Sequence, residues 1–209
     1  LKRVARCYPF FSEYKIKTIK TTSDKQKALK ILVNAYFEAA NVTWMLKKKS
    51  RKNLYTIFNL LFHEAKSKNG AYLSENETCV LFLYKQKEKY FSWIQIFRKL
   101  YIFLFVTGFA KGLQAIKFQK LVSAIRPHGG LLGMALAIDE KPMTTATIFE
   151  LKKSVFDLSK SENLPIYAET TVPRLLKLYQ VLGFQVYHEM KHPYAELDVW
   201  FLKRDLEID

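Results

Sequence analysis

The stretch from Leu131 to Ile138, followed by a helical repeat and a second apolar run, restricts what this chain can fold into more than any other. An octet with almost no polar alternation has the length and composition of a strand buried on both faces, and such strands sit mid-sheet. Ile148, Leu151, Val155 and Leu158 then recur at helical spacing, with Glu150, Lys152, Lys153, Asp157 and Lys160 turned the other way. That pattern describes an amphipathic helix lying on the sheet. A second strand reads from Leu164 to Glu169. Strand, helix, strand is a parallel crossover, and it is right-handed because a twisted strand feeding a helix packs back only that way.

A further helix follows. Pro173 suits its first turn, where a missing N–H costs nothing, and Thr170 or Thr171 is placed to cap it. Leu175, Leu178, Tyr179 and Leu182 form its apolar stripe, Gly183 stops it, and Phe184 packs back over the last turn. Gln185 to Met190 and Leu197 to Lys203 read as a closing hairpin.

The N-terminal part is simpler to describe. Lys15 to Ile19 alternates as a strand, and Ser23 with Gln26 forms a capping-box pattern. Behind it Ala28, Leu32, Ala35, Tyr36 and Ala39 line one helix face. Leu54, Ile57, Phe58 and Leu61 begin another helical stripe, ended near Asn69-Gly70, where glycine supplies the stop. Ala71 to Ser74 and Cys79 to Lys85 flank a four-residue polar connection and read as a hairpin. Residues 88–127 have the spacing of two helices broken near Gly108 and Gly112; their many Phe, Ile and Leu side chains read first as added core, and otherwise as a lid or wall over the substrate end or as a partner surface. The run from Leu100 to Ala110 falls short of the roughly 20 apolar residues that span a bilayer.

The order of elements, together with IYAETT, LYQVLGF and the strand VYHEM, resembles the C-terminal half of the GNAT (Gcn5-related N-acetyltransferase) superfamily. The likeness is best to small bacterial GNAT-like acyltransferases. It implies an α+β (α/β) fold: a central mixed, twisted sheet of six to seven strands flanked by helices, in one domain over residues 1–209, with the helical insertion before the central strand. It also implies transfer of an acetyl group from acetyl-CoA, as substrate, to a small-molecule or peptide amine. On that resemblance, backbone groups of Ala137 and Ile138 pair with the cofactor arm, and the turn Met143, Thr144, Thr145, Ala146 and Thr147 holds the pyrophosphate. Tyr179 would then protonate the departing thiolate, and Glu169 is the candidate base.

Each of these residues also has a plainer reading. Tyr179 lies on the apolar stripe and reads equally as core, and Glu169 at a strand end reads as a partner for backbone or arginine. Asp139 and Glu140 stand as bases or as turn residues. The phosphate turn departs from the family, whose relatives carry glycines there so that backbone can approach the anion. Here both are absent, and β-branched Thr144 and Thr147 crowd the approach, which makes the motif degenerate. Where relatives often have Asn in the last helix, this chain has Leu175.

Charge and cysteines set outer limits. The formal net charge is +15, carried by residues 1–70 (+12) and 71–128 (+6), whereas residues 129–209 total −3. The basic excess therefore lies away from the crossover and reads first as a solvated face, second as a surface for an anionic partner. A nucleic-acid role is disfavoured on that distribution. His63, His128, His188 and His192 lack metal-ligand spacing, and Cys7 and Cys79 suggest no disulfide framework, so a reduced, cytoplasmic protein is expected. The alternative to an enzyme is a catalytically degenerate GNAT-fold module that binds through its basic N-terminal two-thirds or its hydrophobic insert.

Overall fold

The computed structural model describes residues 16–86, 92–139 and 145–206, with residues 145–150 as backbone alone. Its strands are β1 (Ile16–Thr18), β2 (Ala71–Ser74), β3 (Cys79–Lys85), β4 (Leu131–Ile138), β5 (Ile166–Thr170), β6 (Gln185–Lys191) and β7 (Asp198–Arg204). They form one seven-stranded sheet in the order β1-β2-β3-β4-β5-β7-β6. Neighbours pair antiparallel except β4 and β5, which run parallel across the crossover. The helices are α1 (Thr22–Tyr36), α2 (Ala40–Thr43), α3 (Arg51–Ser67), α4 (Trp93–Tyr101), α5 (Phe109–Ile125), α6 (Thr145–Glu162) and α7 (Pro173–Val181); a π-helical segment, Ile102–Thr107, joins α4 to α5.

Strand alternation divides the core. Val80, Phe82 and Tyr84 point to the face covered by α1 and α3, where Leu29, Leu32, Phe58 and Phe62 are buried. Leu81 and Leu83 point to the other face, against Val155 of α6 and Leu176 of α7. Phe118 and Val122 of α5 cover Val199 and Phe201 of β7. A fully buried Leu or Phe in such layers contributes roughly 1.5–3 kcal/mol by removal from water, so the two faces hold the sheet in place.

Several local expectations shift by a residue or two. The cap of α1 is Thr21, whose Oγ1 accepts from the amide of Asp24, not Ser23. Helix α3 is capped by Ser50 and left through Asn69 at φ 53°; Gly70 is required instead because an added Cβ would lie 2.3 Å from the carbonyl oxygen of Leu83. At α7 the cap position is Val172, and Thr170 Oγ1 accepts from the Val172 amide. Leu175 is exposed, and Leu176 joins Tyr179 and Leu182 on the buried side. Gly183 at φ 84° ends the helix as expected, with the Phe184 amide donating to Tyr179 O at 3.0 Å.

The larger correction concerns the insertion. Its helices fall where the spacing puts them, with the break at Gly108, but α4 buries none of its residues. Most of its apolar side chains face outward and are not added core.

His63 on α3 makes the fold sensitive to acid. Its Nε2 lies 3.1 Å from Lys25 Nζ, and burial, followed by the charges of Lys25, Arg98 and Lys66, pushes its pKa down to about 4. The folded protein thus resists a proton that the unfolded chain accepts near 6.5, so stability is full above that pH and declines as pH falls from 6.5 towards 4. Thermal melts of wild type and His63→Asn at pH 7 and pH 4.5 check this: the variant is expected to lose less stability on acidification, and equal losses would contradict the assignment.

Candidate functional site between β4 and β5

Strand β4 is paired with β5 only from Leu131 to Gly133, against Ile166 to Ala168. From Ala135 to Ile138 it has β3 on one side and no β5 partner on the other. Strand β5 meanwhile stays paired with β7 through Glu169 and Thr170. The cause is a register shift opposite Phe82 and Leu83, where Ala135 pairs with Phe82 and Gly133 with Leu83, leaving Met134 without a counterpart. An extra residue of this kind bends a strand and raises its twist, which turns the end of β4 away from β5.

The bulge also decides which backbone groups face the opening. The Leu131 amide donates to Pro165 O, and the Asp139 amide donates to Thr78 O on the β3 side. Alternation back from Asp139 turns the amide and carbonyl of Ala137 to β3, and those of Leu136 and Ile138 to the gap. Of the two residues expected to present backbone to the cofactor, Ile138 therefore turns it to the gap and Ala137 to β3; Leu136 is the second that turns to the gap.

One tyrosine reaches this gap, and a second is buried on the opposite face of the sheet. Tyr36, at the end of α1, donates its hydroxyl to Leu136 O at 3.1 Å and stacks obliquely on Phe58. Tyr179, on α7, packs its ring against Phe184 at 5.1 Å among the side chains of the other face. Burial first, and the nearby Tyr36 phenol second, push the Tyr179 hydroxyl up to about 12. Tyr36 was legible in the sequence only as one member of an apolar helix face; its polar tip was the signal that it needed a partner.

Glu169 lies on the α1 side of β5, and both its oxygens are taken. Arg126, at the C-terminal end of α5, donates from Nε to Oε1 at 2.5 Å and from Nη2 to Oε2 at 2.9 Å. The plainer of the two sequence readings, an arginine partner, is what the geometry shows. Tyr187 packs beside the pair and is pushed up to about 12, by burial and then by the charge of Glu169. Removing one member of a largely buried ion pair leaves the other unpaired, costing about 1–3 kcal/mol at this partial exposure. Arg126→Ala is accordingly expected to lower the melting temperature by several degrees, and Glu169→Gln by less, since the amide still accepts a hydrogen bond. A melting temperature unmoved by Arg126→Ala would contradict the structural role.

Met143 and Thr144 of the expected phosphate turn lie outside the described residues, as does Glu140. Thr145, Ala146 and Thr147 form the first turn of α6, immediately downstream of the open end of β4. First-turn amides have no intrahelical partner and carry the positive end of the helix dipole. On the α1 face, a shallow groove runs between α2 and the β6–β7 connection, lined by Thr43, Trp44, Leu46, Lys111, Glu196 and Leu197. Among the described residues no group of three or more His, Cys, Asp or Glu side chains is placed to hold a metal.

No family model matches the chain, and no curated protein sequence does. Solved structures do match in shape. A Corynebacterium glutamicum protein described as histone acetyltransferase HPA2 and related acetyltransferase superposes with a TM-score of 0.68 at 14% identity, over 94% of this chain and 98% of that one. A Drosophila melanogaster polyamine N-acetyltransferase superposes with a TM-score of 0.62 at 11% identity, over 91% and 99%. The NatC complex bound to Gag peptide and CoA matches with a TM-score of 0.53 at 12% identity, over 93% and 99%. The chain has the fold of the GNAT N-acetyltransferases, with a seven-stranded mixed sheet.

Proposed function

We propose that this chain is an acyl-CoA-dependent N-acyltransferase that moves an acetyl group from acetyl-CoA to an amine by direct attack on the thioester. One observation carries the reading: the parallel strands β4 and β5 part after Gly133, and the Tyr36 hydroxyl stands at the opening on the Leu136 carbonyl. The fold it shares with acetyltransferases supports the same conclusion.

In this reading the amide-bearing arm of the substrate pairs with the free edge of β4 at Leu136 and Ile138, as an added strand would. The amides of Thr145 to Thr147 in the first turn of α6 receive its phosphates. The amine lone pair attacks the thioester carbonyl, and a backbone N–H at the gap stabilises the oxyanion. Collapse breaks the C–S bond, Tyr179 gives its proton to the thiolate, the proton on the new amide nitrogen passes to solvent, and solvent returns a proton to the Tyr179 phenolate. Glu169 takes no proton here; it holds Arg126, and with it the end of α5, beside the opening. The amine approaches from the α1 face.

Isothermal titration with acetyl-CoA tests the reading, and no heat at millimolar ligand would remove it. Tyr36→Phe tests the geometry of the arm. Its hydroxyl occupies the Leu136 carbonyl that an incoming amide needs, and a net hydrogen bond is worth about 1 kcal/mol. The variant is expected to bind acetyl-CoA about five-fold more tightly; weaker binding would mean that Tyr36 contacts the ligand itself.

A further inference from the structure

The insertion between β3 and β4 exposes apolar side chains in a continuous helical series. Along α4 and the π-helical segment, Trp93, Phe97, Tyr101 and Phe105 recur every fourth residue, and Trp93, Phe97 and Phe105 are 68, 66 and 66% exposed. Along α5, Phe109, Leu113 and Ile116 continue the series, Phe109 at 67%. The π-helical segment and α5 pack closely: an added Cβ at Gly112 would lie 2.6 Å from the Phe103 ring. A run of this size on a protein surface marks an interaction site.

The charges around it narrow the partner. Between Glu88 and Asp139 the sequence contains no acidic residue, while Arg98, Lys99, Lys111, Lys117, Lys120 and Arg126 are basic. Lys99, Lys117 and Lys120 are exposed. The Lys47 amide donates to Val106 O at 2.9 Å, which sets the basic loop of Lys47 and Lys48 against the π-helical segment. Opposed copies of this basic surface would repel one another. Residues 1–15 of the chain carry Lys2, Arg3, Arg6 and Lys15 against Glu13 alone, so they are not complementary to it either. Single-stranded nucleic acid would use the aromatic rings and the lysines but has no use for Ile94, Leu100, Leu104 and Leu113, which offer no stacking face.

Exposed Trp, Phe, Ile and Leu interleaved with lysine and lacking any acid is the composition of helices that lie in the headgroup region of a bilayer. We propose that α4, the π-helical segment and α5 dock this protein on an anionic lipid surface, lying in the interface. No described helix is long and apolar enough to cross a membrane.

Flotation of the full chain with phosphatidylcholine vesicles, and with vesicles containing 30% phosphatidylglycerol, reads this directly. The anionic vesicles are expected to carry the protein at least ten-fold more effectively, with the advantage lost in high salt. Phe97→Glu/Phe105→Glu, at positions exposed enough that the fold does not depend on them, is expected to abolish flotation while acetyl-CoA binding and melting temperature are unchanged. Lys99→Glu/Lys117→Glu/Lys120→Glu is expected to remove the preference for anionic lipid. The proposal is overturned by absence of flotation with either vesicle, by equal flotation with both, or by retention in the double phenylalanine variant. It is equally overturned if sedimentation shows a dimer that the phenylalanine variant dissociates, or if an oligonucleotide binds in preference to the vesicles.

Discussion

Tyr179→Phe is expected to lower turnover about 100- to 10,000-fold, the range for a positioned general acid, with acetyl-CoA affinity and melting temperature close to wild type. The ring contact with Phe184 at 5.1 Å survives the substitution, so only the hydroxyl is lost. That hydroxyl is pushed up to about 12, which keeps it protonated at every working pH. The wild-type rate should therefore show no loss from Tyr179 ionisation below about pH 12, and its rise with pH should follow the amine substrate alone. Turnover of Tyr179→Phe that matches wild type across pH would reassign the side chain to packing, the reading its place on the α7 stripe also allows.

The second large effect is on stability. Phe82→Ala is expected to cost about 3–5 kcal/mol, the usual consequence of emptying a phenylalanine site in a packed core. Phe82 is completely buried, packs its ring 6.2 Å from that of Phe62, and pairs with Ala135 just beyond the bulge at Met134. For a domain of this size the melting temperature should fall by roughly 10 °C or more. The loss is also expected to weaken acetyl-CoA binding, because Phe82 fixes the strand whose far edge forms the opening. A shift of only one or two degrees would mean that α1 and α3 hold β3 without it.

The sequence made the scaffold legible because its strongest signals are periodic. Strand β4 falls at the expected bounds, as do both strands of the β2–β3 hairpin, and Pro173 and Gly183 punctuate α7 as those residue types require. What it did not show depends on contacts between distant segments. An uninterrupted count along β4 from Leu131 assigns the Ala137 amide to the open side, and only the cross-strand register with Phe82 and Leu83 reveals the extra residue that reassigns it. Tyr36 and Leu136 are far apart in the chain, so no local pattern announces their hydrogen bond. Glu169 was seen as an acid at a strand end, but Arg126 comes from the insertion and meets it only in three dimensions. The insertion itself shows how far hydropathy goes: helical spacing gives α4 and α5, yet the same apolar stripe serves a core or an exposed docking face. Only the packing of neighbouring elements tells the two apart.

Amide exchange along β4, followed residue by residue by NMR with and without acetyl-CoA, tests the central claim most directly. The amides of Leu136 and Ile138 should exchange readily in the free protein and become protected at saturating ligand, whereas that of Ala137, turned to β3, should be protected in both states. Protection of Leu136 and Ile138 before ligand is added, or no change in either when acetyl-CoA is present at saturation, would contradict an opening in the sheet that receives the thioester arm.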